Sequence, residues 1–129
     1  MTADQATDLS LAAAALDQAG DGIIAIDRDG IIRIWNQKCT ELFGFTAEQA
    51  LGQNVEIIIP PNLRDAHERG FNAAMESGHI ASDGKARRTK GITADGGKVY
   101  VTMTFAVING SDGAAVGAVA VAREYVREG

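Results

Sequence analysis

At 129 residues and 13.5 kDa the chain has material for one hydrophobic core and not for two, so a single domain is expected. It is 46% hydrophobic and only 5% aromatic, and it has neither an apolar run near the ~20 residues of a membrane span nor a basic, then apolar, N-terminus; a soluble cytoplasmic protein is expected. A net charge of −5 and a pI near 4.9 argue against a face built for nucleic-acid phosphates, and the lone Cys39 rules out an intrachain disulfide and reads as a small buried residue.

Thr7 and Asp8 carry side-chain oxygens suited to capping, which predicts a helix over Leu9–Ala19 with Gly20 at its exit. Leu9, Ala12, Ala13, Leu16 and Ala19 fall on one side of it. So thin an apolar face needs a surface to pack on, either the domain's own sheet or a second copy of the chain. Gly22–Asp27 and Ile31–Trp35 are β-branched runs joined by Arg28-Asp29-Gly30, where Asp-Gly supplies the positive φ of a tight hairpin turn.

From Asn36 to Pro60 the chain is broken by Gly44 and Gly52, with Thr46 capping a brief turn over Glu48–Leu51, so no long helix fits. A longer helix follows Pro60-Pro61, from about Asn62 to Ser77, where proline at the first turn costs no hydrogen bond. Leu63, Gly70, Phe71, Ala74 and Met75 form its apolar stripe, and His67 lies on that stripe. After a flexible Ser77–Lys85 connection come three strands, Arg87–Thr93, Lys98–Ile108 and Ala114–Arg123, separated by turns rich in Gly, Asp and Asn. Val99, Val101, Met103, Phe105 and Val107 alternate with Tyr100, Thr102, Thr104 and Ala106, giving one apolar and one mixed sheet face. The expected architecture is α+β, a five-stranded antiparallel sheet with short helices and one long helix on one face. A cavity belongs between sheet and long helix.

His67 is the residue whose chemistry stands out. An inward imidazole left unpaired costs about 1–3 kcal/mol, which a metal bond or a hydrogen bond offsets; the bland alternative is a packed or partner-contacting histidine. Arg87, taken alone, is a solvated charge at a strand start, as are Arg88 and Lys90. Trp35 could stack on a planar ligand, but a strand tryptophan is more often a core residue or a dimer contact. No nucleophile, base and orienter assemble from His67, His79 and the scattered carboxylates, and no Gly-rich phosphate cradle precedes a helix, so an enzyme is not expected.

Asp21-Gly22-Ile23, Asp29-Gly30, Trp35-Asn36, Phe43-Gly44-Phe45, Gly52-Gln53-Asn54-Val55 and Asp95-Gly96, in this order and spacing, resemble the PAS family of sensor domains. The resemblance covers the chain from about Asp21 onward. It divides the chain into a cap or dimerisation helix over 1–20, a PAS sensor domain over 21–124 and the start of a linker over 125–129. The end, Ala122 to Glu128, resembles the PAS exit segment, with Glu124 where that segment usually has Asp.

Within that family, Gly52 to Val55, Ile59-Pro60 and Arg64-Asp65-Ala66-His67 resemble the heme PAS domains of rhizobial oxygen-sensing histidine kinases (FixL-like). That resemblance implies heme b with His67 as axial iron ligand, Arg87 as distal donor to bound oxygen, and Met103 and Phe105 as distal apolar residues. It places Leu63, Gly70, Phe71 and Ala74 beside the macrocycle. Two departures stand out: Ala73 replaces an arginine that serves a propionate, and Phe105 is bulkier than the usual aliphatic residue. His79 is a propionate candidate offset by about two residues. Covalent flavin photochemistry is not expected, since Asn54-Val55-Glu56-Ile57 lacks the reactive cysteine and Cys39 comes too early.

The reading favoured is a sensor and signal-transduction domain for a diatomic gas such as O2. It would form homodimers through the N-terminal helix and a sheet face, and act on an effector such as a histidine kinase in two-component signalling. The alternatives are a cofactor-free PAS dimerisation and interaction module, and a domain that holds a small metabolite or fatty acid near Met75, Met103 and Phe105.

Overall fold

The computed structural model describes residues 3–80 and 84–125. Part of the expected Ser77–Lys85 connection and of the exit segment, residues 81–83 and 126–129, lies outside them, as do the side chains of residues 3–9. The elements are α1 (Ala3–Gln18), β1 (Gly22–Asp27), β2 (Ile32–Trp35), α2 (Gln37–Phe43), α3 (Ala47–Ala50), 3-10 turns at Val55–Ile58 and Pro61–Leu63, α4 (Arg64–Ser77), β3 (Arg87–Ile92), β4 (Lys98–Asn109) and β5 (Ala115–Glu124). One five-stranded sheet runs β2-β1-β5-β4-β3, antiparallel throughout. This is the expected α+β layer arrangement. No helix among the described residues is long and apolar enough to cross a membrane.

The first helix departs from expectation at both ends. It starts at Ala3, so Thr7 and Asp8 lie within it and do not cap it, and it ends at Gln18 without a left-handed glycine at Gly20. The run of Ala12 to Ala15 is so favourable to helix that two weak cap residues do not stop it from extending toward the N-terminus. Of the expected stripe, Leu16 and Ala19 are half-buried and Ala12 and Ala13 are exposed; Leu11, outside the stripe, is 67% exposed.

Elsewhere local chemistry sets the elements. Gly30 takes φ 80° in the β1–β2 turn, while Asp29 stays at negative φ, and Asp27 closes that turn by accepting from the amides of Asp29 and Ile31. Ile31 leaves β2 to form an isolated bridge with Asn54. Thr46 and Gln49 form a reciprocal capping box at α3. Gly44 and Gly78, at φ 82° and 81°, end α2 and α4 by donating to the carbonyls of Thr40 and Ala74. The long helix begins with a 3-10 turn at Pro61–Leu63 before it becomes α-helical at Arg64.

Among the described residues Asn36 is the one buried polar residue of the core. As N-cap of α2 its Oδ1 accepts from the amides of Cys39 (3.2 Å) and Ile23 (2.9 Å), and its Nδ2 donates to the carbonyls of Leu16 (2.8 Å) and Asp21 (3.0 Å). The end of α1, the start of β1 and the start of α2 therefore meet on one side chain. Nearby, Arg123 at the end of β5 reaches Asp21 through two nitrogens, at 3.2 and 3.1 Å.

The core beneath α2 and α3 is filled. Phe43, Cys39, Ile32 and Val101 are essentially inaccessible. Trp35 packs at 5.7 Å from Phe43 and edge-on at 6.4 Å to Phe45, and its indole donates to the Phe45 carbonyl (3.0 Å) and Thr40 Oγ1 (3.2 Å). That leaves no face of Trp35 for a planar ligand; it is a core residue. Cys39 is a core residue too, its thiol pushed up to about 11 by burial.

Candidate ligand cavity

A cavity of about 600 Å³ lies between α4 and the sheet, inside the roughly 300–1,000 Å³ range of small-molecule sites. Strand alternation builds one wall. Ile24 and Ile26 of β1, Ala118 and Ala120 of β5, and Met103 and Phe105 of β4 share one sheet face through the pairs Ile24↔Ala120, Ile26↔Ala118 and Phe105↔Ala120. The alanines keep the middle of this wall low, and larger side chains rise on either side.

Helix α4 forms the other wall with the residues that its periodicity turns inward. Leu63, Ala66, His67, Gly70, Phe71, Ala73 and Ala74 line the cavity. A Cβ built on Gly70 meets nothing within 4 Å, so the missing side chain leaves open space beside the histidine. The His67 ring lies parallel to Phe71, with centroids 6.2 Å apart and planes 3° off parallel. Burial holds its pKa below the ordinary histidine value, against a weaker upward pull from Glu56 and Glu68. The imidazole is therefore neutral at pH 7, with a nitrogen lone pair to offer.

Arg87 opens β3 opposite Met103 and lines the cavity from the sheet side; Thr89 and Gly91 follow it on the same face. No carboxylate among the described residues pairs with Arg87. Arg88, the next residue, stacks over the ring of Tyr125 at 4.4 Å on the opposite face, so it is more than a solvated charge. Lys90 is half-buried and not freely exposed. Gly91 is small by necessity, since a Cβ there would come within 2.8 Å of the Phe43 ring.

The residues singled out from the sequence, His67, Arg87, Leu63, Gly70, Phe71, Ala74, Met103, Phe105 and His79, all line this one cavity. His79 is exposed at its rim just past α4, its Nδ1 3.4 Å from the Ser77 carbonyl. Met75 is the exception among the cavity candidates: it is buried in the core and does not line the space. Ile24, Ile26, Ala118, Ala120 and Thr89 were not anticipated. Alternation along β1, β3 and β5 carried the signal, but only the strand order reveals that these faces meet α4. Among the described residues no three His, Cys, Asp or Glu side chains gather as a metal site.

Oxygen sensor protein DosP of Escherichia coli is 28% identical over 95 residues, covering 74% of this chain and 12% of that protein. Sensor protein FixL of Bradyrhizobium diazoefficiens is 40% identical over 48 residues, covering 37% of this chain and 10% of that protein. The chain thus spans about an eighth or less of these relatives. Among solved structures, the PAS domain of a Colwellia psychrerythraea protein superimposes with a TM-score of 0.77 at 26% identity, covering 92% of this chain and 97% of that one. An RNA-binding light-oxygen-voltage receptor gives 0.73 at 16% identity over 93% of this chain and 34% of its own, a likeness of fold alone. The family model described as the PAS fold matches residues 11–124, nearly the whole sheet-and-helix body described above. The chain belongs to the PAS fold family, whose members here include sensor proteins.

Proposed function

We propose that this chain is a cytoplasmic, non-catalytic sensor module that binds heme b with His67 as the iron ligand and responds to a diatomic gas such as O2. The observation that carries the reading is the half-buried His67 imidazole lining a cavity of about 600 Å³ with mostly apolar walls. Heme requires one such imidazole, an apolar slot and a polar donor on the gas side. Leu63, Phe71, Ile24, Ile26 and Ala120 supply the slot, and Arg87 stands on the sheet wall with its guanidinium unpaired by carboxylates among the described residues. The residues fit the group. Heme, when bound, supplies an iron with one position open to the gas.

The chain's part is positional. The Phe71 ring lies parallel to the His67 imidazole on the same face of α4. Arg87 offers hydrogen-bond donors to a bound gas, and its movement bears on Met103, then on Ala122 of β5, then on Gly22 of β1, its successive neighbours across the sheet. The names of the relatives, an oxygen sensor and a sensor protein, agree with this reading. His67→Ala is expected to abolish stoichiometric heme uptake, read as loss of the Soret band. Arg87→Ala is expected to keep heme and to release oxygen at least about tenfold faster, the order of one hydrogen bond to a charged group. Heme retained unchanged by the His67→Ala protein would remove this residue as ligand and leave His79 to test.

The outer sheet face favours a homodimer as the assembly. Ile23, Ile34, Val119 and Val121 are only half-buried there, Tyr100 and Ile108 are exposed, and Leu11 of α1 is 67% exposed. Such apolar surface is characteristic of a contact between copies or with an output domain such as a histidine kinase. Sedimentation should show weaker association once residues before Asp21 are deleted; an unchanged monomer at high concentration in both forms rules the dimer out.

A further inference from the structure

The chain has 17 acidic against 12 basic residues, yet among the described residues no Asp or Glu lines the cavity. A cleft with apolar walls takes its potential from the few charges and dipoles that face it, so overall acidity does not describe this interior. Strand register shows which cations count. Arg87 lies opposite buried Met103, and Gly91, on the same face of β3, is directed at Phe43. Arg88 stacks on Tyr125 on the outer side, and Lys90, which also borders the cavity, is opposite exposed Tyr100, so strand alternation assigns its side chain to that outer side. Among the described residues Arg87, though exposed to solvent, is thus the one guanidinium lining the cavity, with the Thr89 hydroxyl two residues beyond it.

From this asymmetry we infer that the cavity also binds single-headed amphipathic carboxylates: Arg87 anchors the head, the apolar chain lies along Ile24, Ile26, Ala118 and Ala120, and such a ligand and heme exclude one another. A carboxylate taken into the apolar part without a partner would lose its hydration uncompensated, so the head is confined to the Arg87 end. The fork of the guanidinium matches a carboxylate in a way that a neutral hydroxyl cannot reproduce. The inference shares with the heme reading the premise that this cavity is the ligand site, but it does not depend on His67 meeting iron.

The test titrates the full 129-residue chain with dodecanoate and with dodecanol by calorimetry, and in parallel with hemin by its Soret absorbance. Dodecanoate is expected to bind one to one, at least about tenfold more tightly than dodecanol, as one charge-assisted hydrogen-bonded pair implies. Arg87→Met, checked for folding by circular dichroism, is expected to close that gap, and dodecanoate is expected to inhibit hemin uptake competitively. Equal affinity for acid and alcohol, a gap that survives in Arg87→Met, or hemin uptake indifferent to dodecanoate overturns the inference. Hemin binding without dodecanoate binding overturns it while leaving the heme reading intact; dodecanoate binding with no Soret band does the reverse. Binding of neither overturns both.

Discussion

The same sheet face is covered in two different ways. Under α2 and α3 it is filled: Phe43, Cys39 and Trp35 interlock, and their polar atoms are all engaged. Under α4 it is left hollow, because that helix turns Ala66, Gly70, Ala73 and Ala74 toward a wall whose middle is Ala118 and Ala120. Small residues on both sides of a gap cannot close it. The contrast separates packing from space: the short helices fill their part of the face, whereas α4 anchors itself through Ala74 and Met75 in the core and leaves the cavity beside its small residues.

The largest expected effect lies in the filled half. Phe43→Ala should cost about 3–5 kcal/mol in urea unfolding, the range for deleting a fully buried aromatic, although Phe43 also borders the cavity and its loss enlarges that space. A loss below about 1 kcal/mol would mean that this half is as loosely filled as the other.

The second expectation is a response to alkali. The Cys39 thiol is pushed from 9.0 to about 11 by burial, so the folded form holds its proton longer than the unfolded form. Below pH 9 that contribution is intact. As pH rises from about 9 toward 11 the unfolded chain sheds the proton while the folded chain keeps it, and stability should fall by about 1.4 kcal/mol per unit, or about 2–3 kcal/mol in all. The difference between the unfolding curves of wild type and Cys39→Ala across that range isolates it. Parallel curves would show that water reaches Cys39.

The smallest effect belongs to the hollow half. Phe71 is half-buried and borders open volume, so Phe71→Ala should cost only about 1–2 kcal/mol without ligand, since less area returns to water and no tight cavity is created. A cost matching that of Phe43→Ala would show that the space is closed in solution, which would end the comparison and the ligand reading with it.

The order of strands and helices was legible because turn chemistry and period point the same way. Asp29-Gly30, Asp95-Gly96 and Asp112-Gly113 each mark a turn, and the last three strands end within one residue of expectation. Helical periodicity put His67, Gly70, Phe71 and Ala74 on the side of α4 that borders the cavity, but it missed Ala66 and Ala73 and took in Met75, which does not line it. What escaped the sequence depends on long-range pairing or on competition between weak terms. The seven-residue α2 is too short for its period to register beside Gly44. The start of α1 was decided by alanine propensity over the caps at Thr7 and Asp8. The Asp21–Arg123 pair joins residues 102 positions apart, and the β1 and β5 wall of the cavity exists only because those strands are neighbours.

Asn36 carries a mechanical consequence. Its amide has two donors and two acceptor sites, and all four are in use within a space shared by α1, β1 and α2. No bond there can be exchanged for another without leaving a buried polar atom bare, so the corner does not loosen gradually. The last turn of α1 is accordingly tied through Leu16 to the corner where β1 and α2 begin, so that displacing that turn breaks a bond to a buried side chain.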